Sequence, residues 1–202
     1  GKHVVALDRG IPEDRLLSWD DDSPFDPHIW FDTSLWKDAA RYVAQRLGEI
    51  DPDGKDSYTS RLLAYLKELD DLDVYIKEQV AQVPAACRVL VTAHDAYNYF
   101  GRAYGFEVRG LQGISTESEA GTADVSQLAD FIVQRGLKAI FIESSVPRKN
   151  VEALQAAVKA RGFAVGIGGE LYSDALGDAS SGAETYVGMY KANITTIVGA
   201  LK

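Results

Sequence analysis

The chain is poor in several residues that usually announce a function. One cysteine, Cys87, among 202 residues excludes an intrachain disulfide framework, and so little cysteine leaves the compartment open. Cys87 falls in Ala85-Ala86-Cys87-Arg88-Val89, where a buried strand is expected to start, which suits an inert core thiol. Basic residues are outnumbered, 21 Lys and Arg against 30 Asp and Glu, for a net charge of −9. That balance argues against a nucleic-acid binder, which needs a basic face. It suits a cationic solute as well as a surface made acidic for solubility. No apolar run is long enough to span a membrane, and the residues given show no signal-peptide pattern, which says little about where the parent protein works. There is no HExxH and no GxSxG, so neither a hydrolytic metal helix nor a nucleophile elbow stands out. The glycines of Gly166-Ile167-Gly168-Gly169 lack the spacing of a dinucleotide fingerprint and open no helix.

What remains is a globular composition, 46% hydrophobic and 25% charged, and a length that can bury a core in one or two domains. Residues 3–7 read as a short strand. Loop signals fill 9–33: Gly10, Pro12, the acidic run Asp20-Asp21-Asp22, Pro24 and Pro27. A helix is expected over 34–48, capped by Ser34 or Thr33, with Leu35, Ala39, Tyr42, Val43 and Leu47 as its apolar stripe. Asp51-Pro52-Asp53-Gly54 breaks it. A second helix, over 55–82, contains no Gly or Pro. At about 40 Å it is long for a crossover packed on one sheet, and it reads as a strut between two lobes ended by Pro84.

Beyond the strut the pattern alternates. Strands are expected at 88–92, 106–111, 138–142 and 164–167. Helices are expected at 94–104, 123–135, 147–160 and 183–201. Such alternation with short loops gives a parallel sheet with helices on its faces. The expected division is therefore a first-lobe remainder at 1–54, a linking helix at 55–83, and an α/β lobe at 84–202 with a parallel four-stranded sheet.

Open parallel sheets bind ligands beyond the carboxyl ends of their strands. His94 follows Val89-Leu90-Val91, Glu143 ends Ala139-Ile140-Phe141-Ile142, and Asp174 lies in the loop after Ala164–Ile167. All three belong on one edge. His28 sits in Phe25-Asp26-Pro27-His28-Ile29-Trp30, a turn ahead of a helix. Two imidazoles and a carboxylate make most of a transition-metal site. The alternatives are structural: His94 held to its strand by a hydrogen bond, Asp174 as a turn residue, His28 as a surface turn residue. Glu143 reads equally as a partner for a ligand imidazole or as a loop anchor. Asp26 and Asp95 read first as capping or turn residues, and Trp30, Trp36, Tyr97 and Tyr99 as packing. Glu117 and Glu119 read as solvated or capping groups.

The ordered segments DPHIWFD, VTAHDAYNYFGRAYGFE, IFIESSV and LYSDALG resemble the TroA-like (cluster A-I) solute receptors of zinc and manganese ABC transporters, over nearly the whole chain. The resemblance implies two Rossmann-like α/β lobes joined by a long rigid helix. The first lobe would be incomplete in this chain. It also implies that His28, His94 and Asp174 are metal ligands. The family's fourth ligand, a histidine from a segment near the mature N-terminus, has no counterpart here. His3 opens the strand expected after that segment. The start Gly1-Lys2-His3 thus reads as that of a fragment or a processed form.

The function expected is extracytoplasmic capture of Zn²⁺ or Mn²⁺ as transported cargo for a membrane permease, in a periplasmic or surface-anchored parent protein and without catalysis. Three ligands are expected to hold metal more weakly than four, and an incomplete lobe to favour self-association. The alternatives are a metal-dependent hydrolase using Glu143 as base, and an adhesive or structural surface protein with vestigial metal residues.

Overall fold

In the computed structural model, residues 3–19, 25–114 and 120–202 are described. Asp20-Asp21-Asp22, Pro24, Glu117 and Glu119 lie outside them. The chain divides into two units, Gly1–Tyr75 and Ile76–Lys202.

The first unit is helical. Helix α1 spans Thr33–Ile50. Its cap is Asp32, whose carboxylate accepts from the Ser34 and Leu35 amides at 2.9 and 3.4 Å. It thereby satisfies amides that have no carbonyl within the helix. The sequence pointed to Ser34 or Thr33. Asp32 is the better cap because its backbone is extended (φ −112°, ψ 108°) while its side chain reaches forward. Helix α2, Lys55–Val80, follows the short turn at Pro52–Gly54 and crosses the boundary between the units. The helices are tied by Thr33 Oγ1 to Asp73 (3.1 Å), Trp36 Nε1 to the Tyr65 hydroxyl (2.9 Å) and Lys37 to Asp70 (2.6 Å).

Only part of the predicted stripe on α1 is covered. Leu35 and Ala39 are buried, but Val43 and Leu47 are 37% and 40% exposed. With Leu7, Trp36, Leu62 and Tyr65 they line an apolar groove between α1 and α2. The strand expected at residues 3–7 is absent. Residues 3–6 form no regular element, and Leu7–Gly10 is a 3₁₀ turn. An extended segment becomes a strand only by pairing. Among the described residues none pairs with this one, and Val4 is 86% exposed.

The second unit is α/β. In order it comprises β1 (Val89–His94), α3 (Asn98–Tyr104), β2 (Glu107–Gln112), α4 (Thr122–Arg135), β3 (Ala139–Glu143), α5 (Arg148–Ala160), β4 (Gly166–Leu171) and α6 (Tyr186–Leu201). β1 pairs in parallel with β2, and β3 with β4. The single four-stranded ladder expected from the sequence is instead two parallel pairs with β1 lying beside β3. Where β1 and β3 end, they are joined through a side chain, the His94 amide donating to Glu143.

Every residue of β1 and β3 is buried, as expected of strands covered on both faces. One face packs Val89, Val91, Ile140 and Ile142 against Leu128 and Ile132 of α4 and Val151 and Leu154 of α5. α6 packs on β4. The approach is close because β4 is glycine-rich. A Cβ on Gly168 would meet Phe141 at 2.7 Å and Ala200 at 2.9 Å, and Gly169 has φ +141°. These residues build a strand edge, not a nucleotide loop. Cys87 is exposed, in the turn Ala85–Cys87 ahead of β1, rather than in the core. The strand begins two residues beyond it, at Val89, so the thiol never reaches the packed region.

Candidate metal centre

In the second unit the polar groups predicted for the carboxyl edge of the sheet are there. His94 is the last residue of β1 and Glu143 the last of β3, and Asp174 lies three residues beyond β4. His94 is completely buried. Its Nε2 lies 3.3 Å from Asp174 Oδ2, and its Nδ1 lies 2.6 Å from Glu143 Oε2. The other oxygen of Glu143 accepts the His94 backbone N–H at 2.9 Å. One buried carboxylate therefore fixes both the main chain and the ring of His94 and leaves Nε2 to face Asp174. A carboxylate on the far nitrogen of a ligand imidazole sets its tautomer and raises its basicity. Of the two readings left open for Glu143, the imidazole partner is the one this geometry supports.

These contacts govern the charge on His94. Burial disfavours the imidazolium, but hydrogen bonding to Asp174 and Glu143, with the charge of both carboxylates, outweighs it and raises the pKa to about 9. The Tyr97 hydroxyl is pushed well above 10, first by burial and then by the charges of Glu143 and Asp174. Tyr97 therefore acts as a neutral phenol donor. Asp174 is exposed, with its side chain 32% accessible.

The loop carrying Asp174 is anchored around Tyr172. Asn193 of α6 accepts from the Tyr172 N–H at 2.9 Å and donates to the Tyr172 carbonyl at 2.7 Å. The Tyr97 hydroxyl donates to the same carbonyl at 2.9 Å. The hydroxyls of Ser145 and Ser173 lie 2.6 Å apart. Asp95, by contrast, is structural: its Oδ1 accepts the Gly110 N–H of β2 at 2.9 Å.

In the first unit His28 is buried, at 3% exposure. Asp26 Oδ1 accepts the His28 backbone N–H at 2.9 Å and also lies 2.7 Å from its Nδ1. The Trp30 ring stands edge-on to the imidazole at 5.2 Å. The pattern repeats that of His94 and Glu143: a buried carboxylate grips the amide and Nδ1 of a histidine. Asp26, expected as a turn residue, is both a turn residue and the orienting group. Trp36 is an α1–α2 contact, and Tyr97 and Tyr99 are packed inside the second unit.

The chain spans about two thirds or less of the length of the curated relatives it matches. It is 54% identical over 198 residues to the zinc-binding protein TroA of Treponema pallidum (strain Nichols), matching 98% of this chain and 64% of that protein. It is 41% identical to the manganese-binding lipoprotein MntA of Bacillus subtilis (strain 168), matching 100% of this chain and 66% of that one. The solved structure of the periplasmic zinc-binding protein TroA from Treponema pallidum superposes with a TM-score of 0.93 at 54% identity, covering 98% of this chain and 71% of that chain. The names of these relatives describe metal-binding proteins rather than enzymes. Among the described residues no helix is long and apolar enough to cross a membrane. The family model for the periplasmic zinc-uptake complex component A, ZnuA, matches residues 1–200, and the chain belongs to that family.

Proposed function

We propose that this chain binds a divalent transition metal, Zn²⁺ or Mn²⁺, through His28, His94 and Asp174, and that the protein it represents delivers the ion to an ABC permease from outside the cytoplasm. The observation that carries the reading is the buried His94, with Nδ1 held by Glu143 and Nε2 3.3 Å from Asp174. An imidazole nitrogen that yields its proton on metal binding, beside a carboxylate, is a transition-metal donor pair, and the imidazoles tilt preference toward zinc. His28, oriented in the same way by Asp26, is the proposed third ligand. Relatives named for zinc and for manganese support either ion as cargo.

The hydrolase alternative needs Glu143 as a general base facing water. Its two oxygens instead engage the amide and Nδ1 of His94, so a positioning role is favoured and no catalysis is proposed.

Calorimetric titration of the metal-free chain with Zn²⁺ and with Mn²⁺ tests the proposal. One ion per chain is expected, with Zn²⁺ the tighter. His28→Ala, His94→Ala and Asp174→Ala should each weaken it by about a hundredfold or more, because losing a ligand exceeds the ~10–100-fold cost of losing a group that only orients one. Failure of the unaltered chain to take up either ion would overturn the reading.

A further inference from the structure

Asn193 is out of place by composition. It sits in Tyr186–Leu201, a helix dominated by apolar residues, and is 2% exposed. A buried amide is costly unless its hydrogen bonds are met. Both ends of this one are used on a single residue's backbone: Oδ1 takes the Tyr172 N–H and Nδ2 gives to the Tyr172 carbonyl. The side chain thus supplies the donor and acceptor that a neighbouring strand would supply, one residue past the end of β4 at Leu171. Beside it, the Ser144 N–H donates to the Leu171 carbonyl at 3.0 Å. The Tyr97 hydroxyl closes the arrangement on the same Tyr172 carbonyl and lies 3.4 Å from Asn193 Nδ2. Asp174 is two residues further on. The carboxylate thus leaves a backbone segment clamped by groups from α6 and from the β1–α3 loop.

We infer that Asn193, with the Tyr97 hydroxyl, is a positioning residue for Asp174: the clamp on Tyr172 ends the strand at a fixed point and holds the carboxylate against His94, so it sets how long a bound metal stays. This rests on the metal-binding reading above. It assigns a role to two groups that need not touch the ion. It also accounts for an Asn in the middle of a buried helix, where Leu would form helix better.

The test measures the rate at which Zn²⁺ passes from the loaded chain to a chromophoric chelator. The variants are Asn193→Leu, which keeps the branched heavy-atom shape and removes both hydrogen bonds to Tyr172, and Tyr97→Phe, which removes one hydroxyl and keeps the ring. Both are made in the unaltered chain and in the Asp174→Ala background, and their folding is checked by circular dichroism. Release is expected to be about tenfold faster in Asn193→Leu, the size of effect seen for groups that orient ligands, and faster by less in Tyr97→Phe. In the Asp174→Ala background neither substitution should accelerate release further, since their effect travels through that carboxylate.

Equal acceleration in both backgrounds would show a general structural role and overturn the inference. So would unchanged release in folded variants. If Asn193→Leu does not fold, Tyr97→Phe decides on the same criteria. An unaltered chain that holds no Zn²⁺ removes the metal reading and this inference together, whereas a chain that holds Zn²⁺ but is insensitive to both substitutions removes this inference alone.

Discussion

At the scale of single residues, the two histidines are built alike. In each, a buried carboxylate binds the backbone amide and Nδ1 of the same residue: Asp26 for His28, and Glu143 for His94. His94 and Asp174 could be placed from sequence because strand ends in parallel sheets converge on one edge. Asp26 could not be singled out, because an Asp two residues before an amide is the ordinary Asx-turn arrangement. Its contact with the ring depends on a side-chain torsion that the sequence does not state.

The pairing of His94 has a consequence for pH. With its pKa raised to about 9, the metal-free ring keeps its proton at neutral pH, and an incoming ion must displace it. Zn²⁺ affinity should therefore fall as pH drops below about 9, by up to about tenfold per unit for one displaced proton. The sign for stability is opposite. A histidine whose pKa is raised on folding stabilises the metal-free fold fully below its ordinary value of 6.5, and that contribution is lost as pH rises through about 9. In Glu143→Gln one of the two carboxylate charges is gone. The decline in affinity should then begin at a lower pH, with affinity on the alkaline plateau about tenfold weaker. Titrations at several pH values check both, and a Glu143→Gln profile superposable on the original would contradict the role given to Glu143.

At the scale of elements, helices were legible to within a few residues where an apolar stripe and a break coincided, as for α2 and α4. The misses have physical causes. β4 was placed at 164–167 by its apolar run and is found at Gly166–Leu171. The close approach of α6 selects glycines in β4, and glycine erases the alternation by which a strand is recognised. Helix α3 was expected to begin at His94, yet β1 runs to His94 and the helix starts at Asn98. The short loop between them is what turns His94 and Tyr97 to their separate tasks.

The cap of α1 gives a direct test. Asp32→Ala leaves the Ser34 and Leu35 amides without their acceptor and should cost about 1 kcal/mol, at most about 2. Asp53→Ala, at an exposed turn, should change stability by less than about 0.5 kcal/mol. Urea unfolding midpoints at constant slope separate the two, and equal midpoints would count against Asp32 as the cap.

At the scale of the whole molecule, the change from loop-rich sequence through one long helix to strand–helix alternation reads as a first-lobe remainder, a linking helix and an α/β lobe, and the structure divides into two units. The boundary falls inside α2, between Tyr75 and Ile76, because the buried Ile76 and Val80 in the last turns of the helix belong with the second unit. Net charge acts at this scale too. With 30 acidic against 21 basic residues, the chain carries a field that attracts cations before any ligand is touched. Such steering acts on the association rate and is screened by salt. Between about 0.01 M and about 0.15 M ionic strength the screening length shrinks from roughly 30 Å to roughly 8 Å. Zn²⁺ association measured by stopped flow should slow severalfold over that range. Dissociation should change much less, since it is governed by buried groups such as His94 that solvent ions do not reach. An association rate indifferent to salt would mean that the acidic surface serves solubility alone, and that capture depends only on the groups that hold the ion.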